Sequence, residues 1–127
     1  MGILGVEKVS LWLEEPDSGD VEAVAVWAEV EAHRLSVLGH RFSNEQARPF
    51  VRGDEPYVLA PEQYEHVPGA AELAAGRHLA FAPFTFDGGH IGFLVAGDSD
   101  PAVFDGLALK MLAGLANQAK LAIAGAR

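Results

Sequence analysis

The sequence contains no cysteine. Disulfides, thiolate metal sites, thioether attachment of a cofactor and cysteine nucleophiles are therefore excluded. Basic residues are scarce: nine Lys and Arg stand against 18 Asp and Glu, a formal net charge of −9. They are scattered singly, so no basic patch is available to displace counterions from nucleic acid or to meet an anionic membrane surface. Neither nucleic acid nor membrane is expected as a partner. No apolar run approaches the ~20 residues that a membrane helix needs. Met1 leads straight into Gly2-Ile3-Leu4-Gly5 without a basic leader, which sets a cytoplasmic expectation. The five histidines (His33, His40, His66, His78 and His90) include no His-x-x-x-His pair, and no Gly-x-Ser-x-Gly elbow occurs. No metal site and no catalytic residue is expected.

What remains is a chain of 127 residues, half of them hydrophobic. This is enough for one globular domain with a single core. Its acidic groups, Glu14-Glu15, Glu29–Glu31 and Asp98–Asp100, fall at strand ends and turns, where a solvated carboxylate is the ordinary state.

Hydrophobic periodicity divides the chain into elements. Val6–Glu15 alternates Val9, Leu11 and Leu13 against Lys8, Ser10 and Trp12, as a strand with one buried and one half-buried face does. Pro16–Asp20 is a turn, and Val21–Val30 is a second strand completing a hairpin. Within the ambiguous stretch 31–39, Leu35–Gly39 suggests a short extended piece. Ser43 with Gln46 has capping-box spacing and predicts a short helix to about Arg52, ended by Gly53. Tyr57–Ala60 is a short strand. The Pro- and Gly-containing stretch 61–76 reads as irregular, with helical pieces near 62–66 and 70–75.

His78–Phe86 and His90–Gly97 flank Asp87-Gly88-Gly89, a strong tight-turn signal because glycine accepts positive φ. Asp100 with Pro101 predicts a helix start. An apolar stripe of Phe104, Leu107, Ala108, Met111, Leu112, Leu115, Ala119, Ala122 and Ile123 then implies a long amphipathic helix. The order is β-β-α-β-irregular-β-β-α. The fold expected is α+β: an antiparallel five- to six-stranded sheet covered by a long C-terminal helix.

This order resembles a GAF domain, and several local phrases share the resemblance. Gly5–Leu13 looks like the family's first strand. Gly39-His40-Arg41-Phe42-Ser43 resembles the phrase before its short helix, and Val51–Val58 resembles its Gly-x-Pro segment. Ala82-Pro83-Phe84 and Ile91-Gly92-Phe93-Leu94 stand where the family has its small-apolar-Pro-apolar and Ile-Gly-x-Leu phrases. The resemblance covers nearly the whole chain. Members usually open with an amphipathic helix, for which Gly2–Gly5 is too short, so the chain reads as a single domain excised from a larger signalling protein.

The resemblance implies a non-catalytic sensory or regulatory module that binds a small molecule, dimerises, or does both. Cysteine-linked bilin is excluded by composition, and the Asn-Lys-x-Phe-Asp-Glu pattern of cyclic-nucleotide-binding members is absent. The cofactor is left open. Some members hold haem through one histidine, for which His66 and His78 would be the candidates, although nothing marks either as an axial ligand. The pocket expected from the fold has Phe42, Phe50, Tyr57 and Tyr64 as its roof. Ala80, Ala82 and Phe84 would form its sheet side, with His66, His78 and Arg77 the nearest polar groups. A homodimer through the helix Phe104–Arg127 is the expected assembly. The alternative is a purely structural dimerisation module with a filled core and no ligand.

Overall fold

Two hairpins build the centre of the molecule. In the computed structural model, which describes residues 5–51, 53, 55–86 and 88–126, β1 (Lys8–Glu14) pairs antiparallel with β2 (Val21–Ala28). A bulge at Leu11/Trp12 leaves Val24 without a register partner and 44% exposed. Three short elements follow. Helix α1 spans Glu31–Val37, β3 spans Arg41–Phe42 and helix α2 spans Asn44–Ala47. The stretch expected to be extended at Leu35–Gly39 is thus mostly helix. A Glu31–Arg34 ion pair at 2.6 Å supports it, and Gly39 ends the connection at φ 84°.

The capping box at α2 is present: Gln46 N–H donates to Ser43 Oγ (3.2 Å), and Ser43 N–H donates to Gln46 Oε1 (3.1 Å). Pro49 lies in a 3-10 turn, Arg48–Phe50, that follows α2 directly. The expected helix end at Arg52 lies outside the described residues, as do Asp54 and Asp87 of the two turn phrases. Strand β4 (Tyr57–Leu59), a 3-10 turn at Pro61–Gln63 and helix α3 (Ala70–Ala74) lead to the second hairpin. It joins β5 (His78–Phe86) to β6 (His90–Asp98), with Gly88 and Gly89 both at positive φ. Asp100 caps a 3-10 turn rather than the long helix itself. Helix α4 (Gly106–Ala126) begins after Asp105, whose carboxylate accepts from Ala108 N–H at 2.8 Å.

The six strands form one antiparallel sheet in the order β3-β2-β1-β6-β5-β4. Apolar residues cover both of its faces. On one, Val9, Ala80, Ala82, Phe84, Leu94 and Ala96 pack with Leu112 and Ala116 of α4. On the other, Trp12, Val21, Ala23, Phe81, Ile91 and Phe93 pack with Val37, Ala47, Tyr64 and Ala74 from the α1–α3 layer. No helix among the described residues is long and apolar enough to cross a membrane.

The apolar arc of α4 is wider than the face it buries. Leu109, Leu112, Ala116 and Ile123 pack against the sheet core. Leu107, Met111 and Leu115, read from the sequence as part of the buried stripe, are 67%, 49% and 36% exposed.

Candidate ligand pocket

Strand alternation decides which side chains meet on the α1–α3 side of the sheet. Lys8, Ser10 and Trp12 come from β1, Leu79 and Phe81 from β5, and Phe93 and Val95 from β6. Above them lie Phe42, Ala47, Phe50, Tyr64, Val67, Leu73 and Ala74. The two layers do not close completely, and they leave a cavity of about 100 Å³ between them. Its wall is apolar except for Lys8, Ser10, Gln46 and the hydroxyl of Tyr64.

Most of those polar groups are already engaged. Ser10 Oγ accepts from Trp12 Nε1 at 2.8 Å, and Tyr64 Oη donates to the Arg77 carbonyl at 2.6 Å. Burial raises the Tyr64 hydroxyl pKa above its ordinary value and keeps it a donor. Lys8 is only 7% exposed, and its Nζ donates to the Leu73 carbonyl at 2.5 Å. Burial, with Arg77 nearby, pulls the Lys8 amine down to about 8 against a small opposing effect of Glu7.

Arg77 fastens this end of the pocket. Its Nε donates to Glu7 Oε1 (3.2 Å), its Nη1 to the Ala74 carbonyl (3.3 Å), and its Nη2 lies 3.3 Å from His33 Nδ1. The last carbonyls of α3 are thus held by two cations, Lys8 and Arg77, which also suit the negative end of a helix. Glu7 also accepts from Ser99 N–H at 2.7 Å, and this bond is the largest cause of its lowered pKa.

The residues expected at the pocket divide into three groups. Phe42, Phe50 and Tyr64 line the cavity. Tyr57 stands outside the cavity wall, stacked on Phe81 at 5.4 Å between centroids, and its hydroxyl donates to the Phe50 carbonyl. Ala80, Ala82 and Phe84 lie on the opposite face, under α4. His78 has the same strand parity, and His66 is exposed on the loop before α3. The physical reason is that β5 is apolar on both faces, so Leu79 and Phe81 compete equally with Ala80 and Ala82 for either side.

Lys8, Trp12, Phe81 and Phe93 are wall residues absent from the expected set. A signal for Lys8 was present, since it alternates in phase with Trp12. Two acidic residues also depart from expectation. Glu14 is buried and accepts from Ile91 N–H (2.9 Å) with His90 at 3.2 Å, and buried Asp98 accepts from Glu7 N–H (3.1 Å) and Asp100 N–H (2.8 Å).

Several solved structures share this fold. The red-light-absorbing state of a red/green cyanobacteriochrome is 20% identical with a TM-score of 0.73, the match covering 96% of this chain and 85% of that one. The phycocyanobilin-bound GAF domain of a cyanobacterial phytochrome is 19% identical at 0.73, covering 97% and 77%. A GAF domain/HD domain protein from Geobacter sulfurreducens is 11% identical at 0.72, covering 92% and 79%. The chain has the GAF fold. No family sequence model and no curated protein matches it.

The phycocyanobilin of that phytochrome domain does not fit the residues here. No cysteine exists to attach a bilin, and the cavity is well below the roughly 300 Å³ at which sites for drug-sized ligands begin. Haem fits no better: its two histidine candidates stand outside the cavity wall, His66 exposed and His78 on the α4 side of β5.

Proposed function

We propose that this GAF domain is a non-catalytic sensory module of a signalling protein, which takes a small molecule into the cavity between the sheet and the α1–α3 layer. One observation carries the reading. The cavity lies between the two layers and is lined almost wholly by apolar side chains, with a few polar residues among them, the composition typical of a small-molecule site. A tightly filled interior would leave no such space. Sensing would follow from population shift: a ligand that fits one arrangement of α3 and its loop better biases the domain towards it. Thermal melting with a panel of four- to six-carbon compounds tests the reading. A saturable, concentration-dependent rise in Tm for one chemical class is the expected result, and a flat response across all classes counts against it.

A second role is compatible with the first. The exposed stripe Leu107, Met111 and Leu115, continued by Leu121 at 63% exposure, is a row of large apolar side chains on one side of α4. We assign it to a second copy of this chain, giving a homodimer through α4. Sedimentation of the wild type and of Leu107→Glu/Met111→Glu tests it. Dissociation to monomer in the variant, with its melting curve retained, is expected. A wild type that stays monomeric at high concentration contradicts it.

A further inference from the structure

Ser10 gives the cavity a chemical preference. It stands on the cavity face of β1 between Lys8 and Trp12, lines the cavity and is only 5% exposed. Its cross-strand neighbours are Val26 on β2 and Val95 on β6, whose side chains accept nothing. Its oxygen accepts from Trp12 Nε1 at 2.8 Å. A hydroxyl that accepts one bond still has its own proton to give. Among the described residues no group accepts that proton. A buried donor without an acceptor costs free energy, and a guest that brings an acceptor relieves that cost.

The other polar residues of the wall are engaged elsewhere. Tyr64 Oη donates to the Arg77 carbonyl. Gln46 is half-buried and turns its amide oxygen to Ser43 N–H. Lys8 Nζ is bonded to the Leu73 carbonyl, at the end of α3 beside the Glu7–Arg77 pair. The rest of the wall is apolar. An ionised guest would exchange its hydration for that wall, which is costly. Water is a poor occupant too, since a buried water wants two to four polar partners. The guest that fits is uncharged, with an apolar body and one acceptor atom.

Size narrows the class further. An apolar cavity of about 150 Å³ holds benzene, so one of about 100 Å³ suits a body of about four carbons. Resting on the pocket reading proposed above, we infer that the cavity binds a small uncharged carbonyl compound, a ketone or ester, its oxygen accepting from Ser10 Oγ and its carbons against Phe81, Phe93 and Val95.

The test uses the whole chain with four compounds of equal heavy-atom count: butan-2-one, its hydrocarbon isostere 2-methylbut-1-ene, propanoate and the butan-2-amine cation. Ligand-observed NMR gives each affinity. The ketone should bind wild type about tenfold or more tighter than either ion, as the burial cost of an unmatched charge warrants. Ser10→Ala, checked for folding by its melting curve, should weaken the ketone about fivefold and leave the alkene unchanged, as loss of one hydrogen bond does. If an ion binds as tightly as the ketone, the uncharged class is wrong while the pocket reading stands. If Ser10→Ala affects ketone and alkene alike, the carbonyl assignment fails and the pocket reading again stands. If neither these four nor the four- to six-carbon panel binds, both fail. Should Ser10→Ala not fold, the infrared carbonyl stretch of bound butan-2-one in wild type decides. A stretch lowered from its value in alkane solvent supports the bond to Ser10, and an unshifted one overturns it.

Discussion

At the scale of single residues, close approach and burial set the strongest constraints. Gly92 lies on β6 opposite Phe84, and a Cβ there would meet the Phe84 ring at 2.6 Å. The Phe84 ring is packed beneath α4 and would have to shift within that core, so Gly92→Ala is expected to cost about 1–3 kcal/mol, as overpacked cores do. Urea unfolding at constant m-value would measure it. Lys8 makes a second prediction. Its folded pKa of about 8 lies below its ordinary value of 10.5, so between those pH values the unfolded chain binds more protons than the folded one. Stability therefore rises with pH across that window, and below it the full burial cost remains. The wild type should gain stability relative to Lys8→Met between pH 8 and 10.5, and parallel curves for the two would contradict the burial of the amine. Glu7, whose pKa is also lowered, gives a slope of the same sign at acid pH: the stability that its bonds contribute is lost as pH falls through its folded pKa. Lys8 was hard to read as a wall residue because a lysine at a strand start is ordinarily solvated, and only its phase with Trp12 hinted otherwise.

At the scale of elements, legibility followed the physics of each segment. The β5–β6 hairpin was plain because glycines at positive φ separate two long apolar strands. The α2 start was plain because Ser43 and Gln46 satisfy each other's backbone donors. Ser43→Ala should cost about 1 kcal/mol, and the loss should appear as faster amide exchange through α2 and the following Pro49 turn. Helix α1 was obscure because no side chain caps it, and its Leu35 is 61% exposed, so the apolar pattern does not mark the buried face. The phase of β5 was obscure for a related reason: layers on both sides of the sheet want apolar residues, and alternation is silent there. The same ambiguity rotated the stripe on α4, where Leu107, Met111 and Leu115 look as apolar as Leu109 and Leu112 but face outward.

At the scale of the whole molecule, one six-stranded sheet separates two jobs. The α4 side is a packed core bearing an apolar outer row, and the α1–α3 side holds the cavity with its lone lysine. Cavity and α4 lie on opposite faces of the same strands. The fold was legible in the sequence because the order of elements is distinctive even where each phrase is weak. The cavity was legible only in part: Phe42, Phe50 and Tyr64 were expected in its roof, but its sheet side and its size depend on how two layers fail to meet. The most direct measurement is ligand-observed NMR of the four- to six-carbon panel against the wild type and Ala47→Leu. Ala47 is a buried wall residue, and the larger side chain would occupy the space. The account predicts saturable binding to the wild type that disappears in a folded Ala47→Leu domain. Binding that is undiminished in that variant, or absent from the wild type, would contradict it.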